Sequence, residues 1–290
     1  MYLEMPIPAS ELIVNADGSV YHLGLRPQDL ADIVLTVGDP DRVEMLSKYF
    51  DSIELKVRRR EFVTHTGTYK GVRITAMSTG MGTDNIEIVM NELDALANID
   101  LATRKPKDDI RKLTIIRLGT SGSLQTDVEL DSHLASHTAT GLDTLMFFYN
   151  LHQSAEETEI CDAFQKAINL PFTPYQATAD AGLLETIAFD MVPGNTLTCP
   201  GFYAPQGREL RLKTRFEGLI PAYNAFRHNN FRITNFEMET AGYYSMGRLL
   251  GHRMLSLNCI VAHRMSNKFS QQAEAVMDSL IRKVLDRVSA

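Results

Sequence analysis

The chain has no tryptophan, only three cysteines in 290 residues, and no uninterrupted apolar run of membrane-spanning length. Each shortage excludes something. Cys161, Cys199 and Cys259 are scattered, odd in number and free of any CxxC or His/Cys cluster, which argues against a disulfide framework and against a zinc site. A reduced, cytoplasmic compartment is the simplest expectation. Without ~18 consecutive apolar residues, no membrane-spanning helix is expected. Residues Met1 to Val14 lack a basic leader and carry Glu4 and Glu11, so they do not read as a signal peptide. Positive charge is also short: 29 Lys+Arg stand against 36 Asp+Glu, a net −7 that excludes nucleic-acid binding by bulk charge. What is present is ordinary. Hydrophobic residues at 44% and charged residues at 22% exclude disorder, collagen-like structure and coiled coil as the main state.

There is no internal repeat and no linker-like stretch, so one domain over residues 1–290 is expected, with 1–20 as an N-terminal arm. Ile33-Val-Leu-Thr-Val37 reads as a buried strand stopped by Gly38-Asp-Pro40, followed by a helix from Asp41 to Phe50. Gly71 to Met77 reads as a second strand with Thr79-Gly-Met-Gly82 as a tight loop. Ile86, Val89, Met90, Leu93 and Leu96 form one helical face. Residues 104–112 read as a charged surface loop. Leu113 to Ile116 resumes the strand pattern, with Gly119-Thr-Ser-Gly122 as the turn that closes it. Further strands are expected at 130–138, 174–179, 195–199 and 254–261. Helices are expected from Met238 to Leu250 and over Ala273 to Val288. Strands alternating with helices predict an α/β fold with a mostly parallel, helix-covered sheet.

Three strands therefore end in glycine-rich turns. Ligands of open α/β sheets sit beyond the carboxyl ends of the strands, where glycine lets backbone N–H groups approach an anion. None of the turns fits GxGxxG or GxxxxGK[ST], so a dinucleotide or an ATP phosphate is not indicated. Arg42 lies in the first turn after Gly38, and Arg117 directly precedes the third turn. The permanently charged, fork-shaped guanidinium suits phosphate. The bland account of Arg42 is an ion pair with Asp41 or Glu44. Arg117, at the end of an apolar strand, needs an anionic partner. The two carboxylates of Glu237-Met-Glu239 fit either helix-dipole complementarity or the binding of adjacent hydroxyls.

Gly38-Asp-Pro-Asp-Arg-Val43, Arg60-Glu-Phe62, Ser78-Thr-Gly-Met-Gly82, Arg117-Leu-Gly-Thr-Ser-Gly122 and Glu237-Met-Glu239 occur in this order, with Tyr21-His-Leu-Gly-Leu25 ahead of them. This set closely resembles the nucleoside phosphorylase-I family, and within it the uridine phosphorylases, from about His22 to the C-terminus. The resemblance implies a single-domain three-layer α/β fold. Its mixed central sheet is partly closed into a barrel and flanked by helices. It also implies phosphorolysis, in which nucleoside and inorganic phosphate as co-substrate give a free base and ribose 1-phosphate, with no cofactor required. Gly38, Arg42, Arg117 and Thr120 match phosphate-binding positions, and Arg60 matches a phosphate arginine donated by the neighbouring subunit. His22 matches a residue that reaches across a dimer to the ribose. Glu237, Met238 and Glu239 match ribose-binding positions. A homohexamer built as a trimer of dimers follows from the same resemblance. So does a monovalent cation (K+) that some members hold between subunits, at positions matching Glu61, Ile74 and Ser78.

The segment Pro200-Gly-Phe-Tyr-Ala-Pro-Gln-Gly-Arg208 carries the Gln-x-Arg pair of uridine phosphorylases. Gln206 can accept from N3–H of uracil and donate to O2, while Arg208 donates to O4. Cytosine mismatches both. Phe202 is expected to stack on the base. Purine-specific relatives carry an Asp after the late strand, and Cys259-Ile-Val-Ala-His-Arg264 has none. Val261 instead offers an apolar wall, and Arg264 matches an arginine that supports the Gln/Arg pair. His263 in place of the usual Asn, Ser121 in place of the common Thr, and a longer N-terminal arm depart from the pattern. The reading is a pyrimidine-salvage enzyme acting on uridine, with charge on the leaving uracil met by Arg208 and Gln206, and with Arg117, at the phosphate, as the third catalytic residue. The alternatives are another nucleoside phosphorylase, a nucleosidase of the same superfamily, or a non-catalytic nucleoside-binding protein.

Overall fold

The structure, a computed structural model, describes residues 5–290; the first four residues of the expected arm lie outside them. Chain order is β1 (Ile33–Val37), α1 (Asp41–Ser47), β2 (Ser52–Arg59), β3 (Phe62–Tyr69), β4 (Val72–Ser78) and α2 (Thr83–Asn98). It continues with β5 (Thr114–Ser123), β6 (His133–Gly141), α3 (Ala155–Ile168), β7 (Tyr175–Thr178), α4 (Ala181–Ile187) and β8 (Val192–Thr198). The last elements are α5 (Leu219–Ala225), β9 (Asn235–Glu237), α6 (Thr240–Leu250), β10 (Arg253–His263), β11 (Lys268–Phe269) and α7 (Ala273–Val288).

These strands make one 11-stranded sheet in the order β11-β10-β6-β8-β9-β5-β1-β4-β3-β2, with β7 paired to β6. A further pairing of β10 with β5 closes β10-β6-β8-β9-β5 into a five-stranded barrel. The run Ile33–Val37 is buried because β4 and β5 flank it in parallel register. Parallel pairs fill the centre, but β2-β3-β4 form an antiparallel meander and β9 runs antiparallel to β5. The sheet is therefore mixed, as the family resemblance implies, rather than mostly parallel as the alternation of elements alone suggests.

Helices cover both faces. α2 and α6 bury Ile86, Val89, Met90, Leu93, Tyr243 and Tyr244 in one core. α1, α4 and α7 bury Val43, Leu46, Leu183, Leu280, Ile281 and Val284 in another. The 3.6-residue spacing of the apolar positions dictates both faces. The expected arm folds back on the body: Ile7 N–H donates to the Arg104 carbonyl at 2.8 Å, and Val20 is buried at 1% exposure.

Several boundaries differ from the expectation. β5 does not turn at Gly119; it runs on to Ser123, held by β9 and β10. The helix after Gly38 stops at Ser47, and the strand expected at 130–138 lies at 133–141. α6 begins at Thr240, so Glu237 ends a strand and Glu239 is the residue before the helix. The charged stretch 104–112 contributes Lys105–Pro106 to a two-residue ladder with Ile99–Asp100.

Candidate active site

A cavity of about 630 Å³ opens at the carboxyl ends of β1, β4, β5 and β9. Its first wall is the Gly38-Asp39-Pro40 turn, Arg42 and the Gly80-Met81 turn; the second is Gly119 to Gly122 of β5. Phe202, Gln206 and Arg208 form a third side with Phe236, Val261, Ala262 and Phe269, and Glu237-Met238-Glu239 close the floor. A register shift in β10 leaves Val261 unpaired between Ile260 and Ala262, the kind of bulge that re-aims a side chain.

Arg117 is the electrostatic centre. It is 6% exposed, and its Nη2 lies 2.6 Å from Glu239 Oε2 and 3.0 Å from Glu237 Oε2. Its Nη1 donates to Asn258 Oδ1 at 3.0 Å and Ser256 Oγ at 3.3 Å. Burial opposes the charge on Arg117, but the two carboxylates outweigh it and hold its pKa above the usual arginine value. Glu239 is pushed up, first by burial and then by the charge of Glu237, against the pull of Arg117. The glycines explain how so bulky a group fits. A Cβ on Gly119 would stand 2.0 Å from Arg117 Nη1. The Gly80–Gly82 turn, with φ of +70° and +92° at its two glycines, aims the Gly82 N–H at Glu239 Oε1, 2.9 Å away. The glycine turn thus holds a carboxylate of the protein itself.

Glu237 is saturated. Its oxygens accept from Thr198 Oγ1 at 2.7 Å, from Glu239 N–H at 3.0 Å and from Thr240 N–H at 2.9 Å, besides Arg117. It fastens the start of α6 to β8, while Glu239 is held by Arg117 and the Gly82 N–H. Arg42 has no carboxylate partner among the described residues, so the ion pair weighed for it does not form; it lines the cavity instead.

At the other end, the Arg208 guanidinium lies 3.7 Å over the Phe202 ring and donates to the Phe202 carbonyl at 2.7 Å and to Gln206 Oε1. Arg264 donates to the Gln206 carbonyl at 3.1 Å, holding the segment from behind without lining the cavity. Burial lowers the pKa of Arg208 to about 10, with the nearby Arg264 charge adding to it. Gln206 is buried, whereas Phe202 and Tyr203 are half-exposed at the rim.

The remaining expected residues fall elsewhere. His22 lies outside the cavity lining; its Nδ1 is 2.7 Å from Glu92 Oε1, and its ring meets Tyr21 edge-on. Arg60, exposed at φ +56° in the β2–β3 turn, stacks on the same Tyr21 at 5.5 Å. The two share a surface patch outside the lining of this chain's own cavity. Glu61 lines the cavity, Ser78 Oγ bridges the Val63 N–H and the Glu61 carbonyl, and Ile74 lies roughly 13 Å back along β4. His263 holds the Ser266 hydroxyl and is turned from the cavity lining. Among the described residues no cluster of three His, Cys, Asp or Glu could hold a metal, and no helix is long and apolar enough to cross a membrane. The sequence missed Glu61, Met81, Phe236 and Phe269 as wall residues. Phe236 had a signal, because it directly precedes Glu237. Phe269 had none, since only the β10–β11 hairpin returns it to the mouth.

A family model described as "Phosphorylase superfamily" matches residues 32–287, nearly the whole of this framework. The chain belongs to the phosphorylase superfamily. Within that superfamily it sits among the nucleoside phosphorylases. It is 29% identical to a uridine phosphorylase of Thermococcus kodakarensis over 264 residues, 89% of this chain and 82% of that one. It is also 27% identical over 276 residues to a DeoD-type purine nucleoside phosphorylase of Oceanobacillus iheyensis, covering 90% and 99%. Among solved structures, a Trypanosoma brucei nucleoside phosphorylase described as showing uridine phosphorylase activity superposes with a TM-score of 0.89. It is 30% identical, covering 96% of this chain and all of that one. Superfamily membership carries the fold. Relatives of both base classes leave the base to be argued from the cavity.

Proposed function

We propose that this nucleoside phosphorylase cleaves uridine, with phosphate at the Gly38/Arg42/Arg117/Thr120 end and uracil at the Phe202/Gln206/Arg208 end. The observation that carries the reading is the Arg208 arrangement. A half-buried cation stacked on Phe202 and joined to Gln206 faces an apolar wall of Val261 and Ala262, and among the described residues no carboxylate stands at that end to protonate a purine. As the glycosidic bond stretches, negative charge grows on the pyrimidine, and Arg208 with Gln206 is placed to meet it. Phosphate is the nucleophile and counter-ion below C1′. Glu239 takes the ribose 2′- and 3′-hydroxyls, Met238 packs under the sugar, and Glu237 serves by holding both. Arg117 then divides its charge between Glu239 and phosphate.

The His22/Arg60 patch supports a shared site, in which these side chains complete the cavity of a neighbouring copy; a hexamer of three such dimers is the assembly we propose. No cofactor is required in this scheme, and any K+ would be structural, at Glu61 and Ser78, because Ile74 lies too far back along β4 to share an ion with Ser78. Compartment and pathway follow from the same reading: a cytoplasmic enzyme of pyrimidine salvage. The test is Arg208→Ala, which lowers kcat/KM for uridine by ~2–4 kcal/mol, felt in kcat. A change in KM alone would mean that Arg208 binds the base without assisting its departure.

A further inference from the structure

Inside the barrel, polar side chains from all five strands join a hydrogen-bonded ring that closes only through the backbone of β5, which contributes both ends. Arg117 (β5) donates to Asn258 Oδ1 (β10) at 3.0 Å; Asn258 Nδ2 donates to Ser136 Oγ (β6) at 3.1 Å. Ser136 Oγ lies 2.6 Å from Thr196 Oγ1 (β8), which donates to Asn235 Oδ1 (β9) at 3.0 Å. Asn235 Nδ2 then donates to Ser121 Oγ, back on β5, at 3.0 Å. Every member is at most 6% exposed.

The direction of this ring follows from how its two asparagine amides are turned. A guanidinium only donates, so Asn258 must turn its oxygen to Arg117 and its nitrogen to Ser136. Asn235 turns its oxygen to Thr196, so the one Thr196 proton goes there, and Thr196 receives that of Ser136. Asn235 then presents its nitrogen to Ser121. A hydroxyl has one proton, and Ser121 has spent an acceptor position on Asn235. Its proton is left to point away from the ring, and Ser121 lines the cavity. Chains of this kind strengthen one another when every link is satisfied.

We propose that this ring is a positioning device: Asn258 and Asn235 fix the Arg117 guanidinium at one end and commit the Ser121 hydroxyl at the other to donate to a substrate oxygen. Asn258 and Asn235 are positioning residues; Ser121 makes the contact. The proposal rests on the cavity being a phosphorolytic site, but not on the choice of base.

The test is a double-mutant cycle in kcat/KM, run with whichever nucleoside the parent enzyme cleaves in the presence of phosphate. Ser121→Ala removes the donor. Asn235→Asp puts an acceptor where the ring needs a donor, so Ser121 must turn its proton inward. Each single variant is expected to lose about 10- to 100-fold, the range of one hydrogen bond to a charged or developing-charge acceptor. The double variant is expected to lose no more than the worse single, and Ser121→Thr to stay within a few-fold of the parent. If Asn235→Asp does not fold by circular dichroism, the uncharged, near-isosteric Asn235→Leu takes its place in the cycle. Parent-like kinetics of Ser121→Ala would overturn the proposal. So would an Asn235 effect that is undiminished in the Ser121→Ala background. A parent without phosphate-dependent turnover would instead indict the functional reading.

Discussion

Gly119→Ala probes the centre of the site with a single carbon. Gly119 sits in the extended strand β5, so its backbone accepts alanine without strain; the obstacle is the Arg117 guanidinium folded over it. The new Cβ would lie 2.0 Å from Nη1, 2.4 Å from Cζ and 2.6 Å from Nη2, where ordinary contact begins near 3.4 Å. The guanidinium must retreat by about 1.4 Å. It cannot do so freely, because Glu239 at 2.6 Å and Asn258 at 3.0 Å hold it. A retreat of that size stretches these contacts beyond hydrogen-bonding distance and leaves two buried carboxylates poorly compensated. Breaking a buried ion pair from one side costs ~3–5 kcal/mol, which for a domain of this size lowers the melting temperature by roughly 5–8 °C. Thermal unfolding and phosphate KM are measured on Gly119→Ala, Arg117→Ala and the double variant. In the Arg117→Ala background the clash no longer exists, so alanine at 119 is expected to cost under ~1 kcal/mol more. An equal penalty with and without Arg117 would refute the reasoning, since the cost would then arise from the backbone or another neighbour.

Two further outcomes are expected. Mixing inactive Arg60→Ala protomers with inactive Arg208→Ala protomers, with subunit exchange confirmed by mass, restores part of the activity; a mixture that stays inactive removes the shared site. Asp190 lies 2.8 Å from Arg287 Nη1 and 3.0 Å from Lys283 Nζ, and the Arg287 hydrogen bonds, with Lys283 adding to them, hold its carboxyl well below the usual range. Its stabilisation is complete above the unfolded value near ~3.9 and drains as pH falls toward the lowered folded value. The side chain is 39% exposed, so solvent screening keeps the effect of Asp190→Asn under ~1 kcal/mol at neutral pH. The difference from the parent closes in acid, and a gap that is constant with pH would contradict the assignment.

The parts of the fold that announce themselves are those where one physical signal dominates. The buried β-branched run Ile33–Val37 and the helical stripe Met277, Leu280, Ile281, Val284 are examples. The β2–β3 hairpin went unread although Ile53, Leu55 and Val57 alternate with polar residues along Ser52–Arg59; the strand is exposed on most positions, and its apolar side is only partly covered by the core. The strand β5 was cut short because Gly119 and Gly122 look like a turn. They are glycines because Arg117 and Phe236 occupy the space a side chain would need. Barrel closure was legible only through family resemblance, since pairing β10 with both β5 and β6 depends on contacts far apart in the chain. At the site, the arginines and carboxylates were visible as types, but their pairing was not. That Arg117 is held by Glu237 and Glu239, and that the Gly82 N–H serves Glu239, requires the folded floor.

The central claim is that phosphate, not water, takes the ribose from uridine. It is tested by following ³¹P resonances and free base together, with uridine or inosine as substrate, with and without inorganic phosphate. The account predicts that uridine is consumed only when phosphate is present, with one equivalent of sugar phosphate ester appearing per uracil released, and that inosine is cleaved far more slowly. Uracil released without consumption of phosphate would make the enzyme a hydrolase. Inosine cleaved as fast as uridine would contradict the role given to Gln206 and Arg208.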